Sequence, residues 1–374
     1  MSAHLEIQLI AVIVAIACSI PGVFLVLRKM AMMSDAISHT ILLGIVTAFF
    51  IVSDLNSPFL IFGAALMGIV TVYLVELLNK TRLMAEDSAI GITFPLLFSI
   101  AIIIISKYAG SIHLDIDSVL LGELAFAPFN RMFIYNIDVG ARAIYSMGSI
   151  LILNIILVTI FFKELKLATF DPGLAAILGF SPSLIHYGLM TSVSITAVAA
   201  FEAVGSILVI AFMIGPAISA YLISDDLRKM LILSGIIGIV NAILGFHLAV
   251  LFDVSIAGSI SLVIGISFML IFVFAPERGI ITVVRRRRIQ GINFAAKSLL
   301  FRIYNHEVNL NKRGENAVEN IFEHLNWKKD FLNSIIRKLK RDGLIVEKNG
   351  ILKLTKSGRE SVLLACEDVK FYDY

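Results

Sequence analysis

The chain has 374 residues, of which 58% are hydrophobic and only 16% are charged, and its mean hydropathy is +0.92. A soluble globular domain does not need so much apolar surface, and apolar runs of about 20 residues recur, so the composition excludes that class and predicts several membrane crossings. Residues 1–284 carry 12 Lys and Arg against 17 Asp and Glu, whereas residues 285–374 carry 19 against 11, which predicts a membrane domain followed by a basic domain of another kind.

Nine apolar segments are long enough to span a bilayer. Their approximate bounds are 6–27, 34–53, 58–78, 88–107, 144–163, 185–201, 204–223, 230–251 and 255–275. Lys and Arg follow the first, third, fifth, seventh and ninth segments, whereas the turns after the second and eighth carry none. Because positive charge favours the cytoplasmic side, this alternation predicts an N-terminus outside the cell and a C-terminal domain in the cytoplasm.

The second apolar segment begins with a carboxylate and an imidazole. Asp35 and His39 are four residues apart, which places both side chains on one face of a helix. Both groups are ligands for divalent metals, and an ionisable residue inside a membrane segment indicates a function because it is costly. The alternative is that Asp35 caps the helix and His39 packs against other protein. The predicted topology places this pair near the cytoplasmic end of its segment.

Two further groups of ionisable residues lie toward the outer side in this topology. Glu202 stands between the sixth and seventh segments, and it is a second candidate metal ligand because a carboxylate in apolar surroundings needs water, a metal or a donor. The long loop after the fourth segment either attracts cations or an external partner, or is simply solvated. Its candidate residues are His113, Asp115, Asp117 and Glu123.

The connection between the fifth and sixth segments contains the signals of a short helix. Asp171 can cap a helix, Pro172 is tolerated at the first helical position, and Gly179 ends the helix. A short helix on the cytoplasmic side is suited to docking a cytosolic partner, although an ordinary interfacial helix gives the same signals. The residues that define this candidate docking helix are Asp171, Pro172, Gly173, Leu174 and Gly179.

Four stretches together resemble one protein family. They are residues 27–39, 117–123, 170–179 and 202–217, and they occur in matching order. Over about residues 5–280 the chain resembles the membrane permease subunits of ATP-binding-cassette importers for manganese, zinc or iron. The resemblance implies a homodimer or a pair with a sister permease. It also implies an extracytoplasmic metal-binding protein on the outer loops and a cytosolic ATPase on the helix at 172–179, which would be the coupling helix.

The resemblance also implies the roles of the candidate ligands. Asp35 and His39 would form a transient metal site in the translocation path, with Glu202 as a further candidate. The transported Mn²⁺, Zn²⁺ or Fe²⁺ would be the metal concerned, and no permanently bound cofactor is expected. Because the sequence has no G-x-x-x-x-G-K-[ST] phosphate loop, ATP hydrolysis is expected on another chain and this protein is not expected to be an enzyme.

The basic domain departs from the family pattern, because permeases of this kind usually end soon after the last span. Residues 315–325 and 328–341 have the apolar spacing of helices, and Asn349-Gly350 between two apolar runs is a hairpin signal. This order resembles the winged-helix DNA-binding domain of metal-dependent repressors of the diphtheria-toxin-repressor kind. The candidate nucleic-acid contacts are Lys328, Lys329, Arg337, Lys338 and Lys340. The alternatives are a protein-interaction module, a basic helix that faces solvent, and an anchor on anionic headgroups through Arg285–Arg288.

The sequence therefore predicts an all-α polytopic membrane protein with about nine transmembrane helices, over residues 1–284, and a small cytoplasmic α+β winged-helix domain, over residues 285–374. The predicted function is the permease subunit of a metal importer in the bacterial plasma membrane, driven by a separate ATPase. One alternative is a secondary transporter that uses Asp35, His39 and Glu202 as a proton or cation relay. Another is a membrane-tethered, metal-responsive regulator that signals through the winged helix.

Overall fold

The computed structural model describes residues 3–53, 57–108, 124–134, 137–308, 327, 329–348 and 350–370. The chain forms two compact units, Met1–Gly279 and Ile280–Tyr374. Among the described residues of the first unit, nine helices are long and apolar enough to cross a membrane, which confirms the nine predicted segments. They are α1 Ala3–Leu27, α2 Met32–Val52, α3 Pro58–Lys80, α4 Glu86–Tyr108, α5 Arg142–Ile160, α8 Pro182–Val204, α9 Ser206–Ile223, α10 Leu227–Phe252 and α11 Ile256–Phe274.

Two shorter helices, α6 Phe162–Phe170 and α7 Pro172–Ile177, connect α5 to α8. Several helices begin where a side chain caps the first turn, as the sequence predicts for Asp171. Asp226, just before α10, accepts hydrogen bonds from the backbone N–H groups of Arg228 and Lys229, and these donors hold the pKa of its carboxyl below the usual value. Polar caps of this kind fix where four of the membrane helices start, namely α3, α8, α10 and α11.

Close backbone approach at glycine holds the membrane helices together. A Cβ atom on Gly22 of α1 would lie 2.0 Å from the carbonyl oxygen of Met213 in α9, and one on Gly44 of α2 would lie 2.4 Å from the carbonyl oxygen of Gly63 in α3. Small residues at such crossings allow van der Waals packing, which is the main attraction between helices in lipid. The contact of α2 with α3 matters here because α2 carries Asp35 and His39.

A buried polar cluster connects three helices in the same unit. The side-chain amide nitrogen of Asn154 in α5 donates to the carbonyl oxygen of Ala17 in α1 at 3.1 Å and to the hydroxyl of Thr196 in α8 at 2.9 Å. The hydroxyl of Ser192 donates to the Asn154 carbonyl oxygen at 2.7 Å. Since the amide is paired on both its nitrogen and its oxygen, it stabilises the packing of α1, α5 and α8 without leaving a buried polar group unsatisfied.

The described part of the predicted outer loop contains a short hairpin that the sequence analysis missed. A 3₁₀ turn at Ala127–Phe129 leads into β1 Arg131–Ile134, which pairs antiparallel with β2 Ile137–Ala141. Arg131 approaches Glu6 in the first turn of α1 at 3.6 Å and also pairs with Asp138, whose pKa is lowered by the guanidinium. The hairpin is thus tied to α1 by charge. The candidate residues His113, Asp115, Asp117 and Glu123 lie outside the described residues.

The second unit combines helices with a two-stranded hairpin. Its elements are α12 Ile280–Val308, α13 Lys329–Arg341, β3 Ile345–Lys348, β4 Ile351–Leu354 and α14 Lys356–Lys370. Strands β3 and β4 pair antiparallel with Lys348 opposite Ile351, which gives a hairpin at the position that the Asn349-Gly350 signal predicts. Leu299, Ile335 and Leu352, one from each of α12, α13 and β4, belong to a buried apolar core of this unit. The predicted helix at 315–325 lies outside the described residues.

Candidate metal site and coupling segment

Asp35 and His39 lie on one face of α2, as the spacing predicts. The Oδ1 atom of Asp35 and the Nε2 atom of His39 are 3.4 Å apart. Two ligands that are each about 2.1 Å from a tetrahedral metal are separated by about 3.4 Å, so the two atoms already stand at the distance that a shared ion requires. The capping alternative for Asp35 does not fit, because the N-cap of α2 is Ala31 and Asp35 is within the helical turn.

The imidazole of His39 is held by aromatic rings of α4. Its ring stacks on Phe94, with centroids 5.5 Å apart and planes at 25°, and meets the edge of Phe98 at 5.8 Å. The side chains of His39 and Asp35 are 34% and 28% exposed in the single chain. These contacts restrict rotation of the imidazole, while its partial exposure leaves the pair accessible to an ion or to another subunit.

The pair is not part of a larger ligand cluster within the described residues. No group of three or more His, Cys, Asp or Glu side chains is close enough there to hold a metal. Two ligands from this chain leave room for water or for groups from another subunit, so an ion would be held weakly. Weak binding by oxygen and nitrogen suits a site that must release what it binds, and it accommodates Mn²⁺, Fe²⁺ or Zn²⁺.

Glu202 lies far from this pair. It is exposed near the C-terminal end of α8. Ser194 of α8 is level with Ile37 of α2, because a Cβ atom on Gly68 would lie 1.9 Å from the Ser194 hydroxyl and 3.2 Å from the Ile37 side chain. Glu202 is two helical turns further along α8, about 12 Å at 1.5 Å per residue. Within one chain it therefore does not share an ion with Asp35 and His39.

The candidate docking helix has the boundaries that its sequence predicts. The Asp171 side chain accepts a hydrogen bond from the backbone N–H of Leu174 at 2.9 Å, Pro172 is the first residue of α7, and Gly179 follows with φ of +87°. A left-handed conformation of this kind favours glycine. Apart from the buried Ala175, residues 171–180 are exposed, and Ile177 is 83% exposed. The segment thus presents apolar side chains that the described residues of this chain do not cover.

The residues around α7 are connected to the start of α2 through Arg28, which lies just after α1. Its Nε atom donates to the hydroxyl of Thr169, in the last turn of α6, at 3.2 Å. Its Nη1 atom is 3.1 Å from Nδ1 of His186, near the start of α8. Because a guanidinium can only donate, the Nδ1 atom accepts and the imidazole proton is on Nε2. Burial lowers the pKa of Arg28 from its usual value.

The Arg28 contacts were not predicted, because in the sequence this residue is recognisable only as a basic residue after an apolar run. The turn that carries it is itself hydrogen-bonded: the N–H of Met30 donates to the carbonyl of Leu25 at 2.9 Å, and the N–H of Met33 donates to that of Met30 at 3.0 Å. The Arg28 side chain therefore connects α6 and α8 to a hydrogen-bonded turn, and Asp35 lies in the first turn of the helix that follows it.

A cavity of about 140 Å³ lies beside this turn, lined in part by Met33, Glu76 and His186. Its ionisable groups are already paired. Glu76 is 3.0 Å from the ammonium of Lys80 and accepts a hydrogen bond from the hydroxyl of Tyr187. Because His186 accepts from Arg28, neither group is free to bind a metal in this state, and the cavity is not a second metal site.

The basic residues proposed to contact nucleic acid are only partly available. Lys328 lies outside the described residues, and the side chain of Lys329 is not described. Lys338 is bonded to Asn293 and Lys340 is paired with Glu347, so both have partners within the second unit. Arg337 is exposed. Exposed cations that the sequence analysis missed are Arg341, Lys348 and Lys353.

Comparison with known proteins identifies relatives over most of the chain. A family model described as "ABC 3 transport family" matches residues 4–275. The zinc transport system membrane protein TroD of Treponema pallidum is 41% identical over 354 residues, which is 95% of this chain and 96% of that protein. The manganese transport system membrane protein MntD of Bacillus subtilis is 43% identical over 271 residues, which is 72% of this chain and 92% of that protein.

A solved structure is similar to most of the chain. PsaBC from Streptococcus pneumoniae, in complex with Fab, has a chain that matches with a TM-score of 0.61 and 28% identity, covering 74% of this chain and 94% of that one. The alignment with the Treponema pallidum protein covers 95% of this chain. It therefore continues past the last membrane helix and includes most of the second unit. That relative therefore has a counterpart to most of the basic domain, which permeases of this kind usually lack.

Proposed function

The chain belongs to the ABC 3 transport family, and from this membership we propose that it is the permease subunit through which an ATP-driven importer admits Mn²⁺, Zn²⁺ or Fe²⁺. The observation that carries the proposal is the Asp35–His39 pair, spaced at 3.4 Å on a helix of a nine-span membrane unit. The names of the zinc and manganese transport relatives support the same class of cargo.

The passing ion is bound by the carboxylate of Asp35 and by Nε2 of His39. Charged groups that face lipid are costly, yet both side chains are about one-third exposed in the single chain. We infer that a second permease subunit, identical or a sister chain, covers this face of α2 and supplies the surroundings in which the ion is held. Release requires only that two ligands and their neighbours move apart.

The other partners follow from the exposed ends of the membrane unit. The apolar side chains of residues 171–180 support docking of a cytosolic ATPase on α7, through Asp171, Pro172, Gly173, Leu174 and Gly179. The outer side receives an extracytoplasmic metal-binding protein. This arrangement has the N-terminus outside and the C-terminus inside a bacterial plasma membrane. Glu202 lies on the outer side, where it contacts the ion at a different position from the Asp35–His39 pair.

Arg28 provides the route by which the ATPase acts on the metal site. Movement of α7 displaces Thr169 on one side and His186 on the other, and both contact the same guanidinium. Since Arg28 is part of the hydrogen-bonded turn that precedes α2, a displacement of Arg28 also moves the first turn of α2, which contains Asp35. Arg28 is thus a positioning residue, not a metal ligand.

We also propose that residues 285–374 form a winged-helix-like cytoplasmic domain. The order of helix, hairpin and helix around a core of its own supports this assignment. A regulatory domain that contacts DNA through Arg337 is one use of such a fold. Lys338 and Lys340 are already paired within the unit, so fewer cations of α13 remain for DNA.

Transport by the reconstituted complex tests the proposed function. The chain alone, and the chain together with a cytosolic ABC ATPase and an extracytoplasmic metal-binding protein, are placed in separate liposomes and supplied with Mn²⁺ or Zn²⁺. We expect uptake only in the complete complex and only with ATP. Uptake by the chain alone, driven by a proton gradient and independent of ATP, would instead establish the secondary-transporter alternative.

A further inference from the structure

The first half of α12 exposes both apolar and basic side chains. Val284 is 59% exposed and Phe294 is 75% exposed, and the four arginines Arg285–Arg288 between them are all exposed. The acidic residue of this helix, Glu307, lies near its other end. Among the described residues, those of α12 in the core of the second unit begin only at Ala295. The start of the helix therefore projects from its unit.

The position of this helix start is limited by the chain itself. The N–H of Gly279 donates to the carbonyl of Ala275 at 3.1 Å, and a Cβ atom on Gly279 would lie 3.0 Å from the carbonyl oxygen of Val273, in the last turn of α11. Gly279 is thus held against the end of the last membrane span. Ile280, the first residue of α12, is one Cα step of about 3.8 Å further on.

Distance then places the arginines near the membrane surface. Arg285 is about 7.5 Å along the helix from Ile280, at 1.5 Å per residue. The polar headgroup layer adds about 5–7 Å to each side of the hydrocarbon core. Whatever direction α12 takes, Arg285 remains within a side chain's length of this layer.

The composition of the surface favours lipid over nucleic acid. Arginine binds phosphate through paired N–H groups, a property that serves both partners. Lipid and nucleic acid are distinguished by the exposed apolar side chains, which are Ile281, Val284 and Phe294. Apolar side chains enter the boundary between headgroups and acyl chains, whereas DNA phosphates offer no apolar environment. We infer that residues 280–294 bind the anionic lipids of the cytoplasmic leaflet. This inference rests on the orientation proposed above and not on the metal site.

The test uses the full-length chain in nanodiscs of phosphatidylcholine alone or of an equal mixture with phosphatidylglycerol. The chain has two cysteines, of which Cys18 is buried, so Cys366 is replaced with serine and Gln290→Cys carries a fluorophore. Quenching by spin-labelled lipid headgroups reports the distance of the fluorophore from the surface. We expect quenching to increase several-fold when phosphatidylglycerol is present, and to fall on raising the salt concentration. Quenching that does not depend on the anionic lipid would overturn the inference without affecting the metal-transport proposal.

Two variants with equal loss of charge locate the effect. The test variant replaces Arg285–Arg288 with glutamine. The control replaces four exposed cations elsewhere in the unit, Lys297, Arg341, Lys348 and Lys353, with glutamine. We expect the lipid-dependent quenching to be lost in the first variant and retained in the second. Equal loss in both variants would show nonspecific charge attraction and overturn the inference.

Double-stranded DNA, added to the same nanodiscs, separates the two classes of partner. If the arginines serve the membrane, DNA leaves the quenching of the wild-type chain unchanged. If DNA displaces the helix start from the lipid, and the Arg285–Arg288 variant no longer binds DNA, nucleic acid is the partner and the lipid proposal is wrong. The measurement on the wild-type chain decides the question even if the four-arginine variant does not fold.

Discussion

Asp35→Ala and His39→Ala are each expected to reduce metal uptake by the reconstituted complex by more than about 100-fold. Loss of groups that only support metal ligands costs about 10- to 100-fold in affinity or activity, and the loss of a direct ligand should cost at least as much. The pair supplies two ligands, with no third protein ligand among the described residues of this chain, so neither loss can be compensated nearby. Initial rates of Mn²⁺ or Zn²⁺ uptake measure the effect.

The controls for this prediction come from the same helix and from the other candidate ligand. Ser38→Ala removes a hydroxyl that donates to the carbonyl of Ser34 at 2.8 Å, close to the pair, and is expected to leave uptake nearly unchanged. Glu202→Gln should reduce uptake less than the two alanine variants, because Glu202 is about 12 Å beyond the level of the pair. Wild-type uptake in Asp35→Ala and His39→Ala, with the complex assembled, would rule out the assigned site.

Arg28→Gln is expected to separate ATP hydrolysis from transport. The guanidinium makes two charge-assisted contacts, with Thr169 and His186, and such contacts are worth about 1.5–3 kcal/mol each. Because about 1.4 kcal/mol corresponds to a factor of ten, we expect the number of ATP molecules hydrolysed per transported ion to rise about tenfold or more. Metal binding to the complex at equilibrium should be retained, since Arg28 is not a ligand.

Two further variants distinguish coupling from a general loss of structure. Lys29→Gln removes the same charge from the next residue, which is exposed, and should behave as the wild type. Thr169→Val removes one of the two contacts and should give an intermediate ratio. If Arg28→Gln keeps the wild-type ratio of ATP to metal, or loses metal binding together with ATP hydrolysis, Arg28 does not have the role assigned to it.

Features set by neighbouring residues were predictable from the sequence. Each membrane span is a long apolar run, and a run of sufficient length becomes a helix because backbone groups in lipid must be hydrogen-bonded internally. The ends of α7 were also predictable, since Asp171 bonds three residues along the chain and Gly179 adopts a conformation that depends on its missing side chain. The Asp35–His39 pair belongs to the same class, because one helical turn determines its geometry.

Contacts between distant parts of the chain were not predictable. Arg28 meets Thr169 and His186 only because α1, α6 and α8 pack together, and the one signal in the sequence was a basic residue after an apolar run. Glu202 has the same chemistry as Asp35, but the order of helices places it at another level of the bundle. The pairing of Lys338 and Lys340 likewise depends on tertiary contacts, so counting basic residues on the α13 helix overestimated the surface available to DNA.

We propose that Asp35 and His39 bind a passing divalent ion within the membrane. Anomalous scattering from the complete transporter in lipid, soaked with Mn²⁺ or Zn²⁺ and measured at the corresponding absorption edge, would locate that ion. We predict a peak about 2.0–2.2 Å from both the Asp35 carboxylate and the His39 imidazole nitrogen. A metal peak found only elsewhere, with both side chains directed into hydrocarbon or into the open cytosol, would contradict this account.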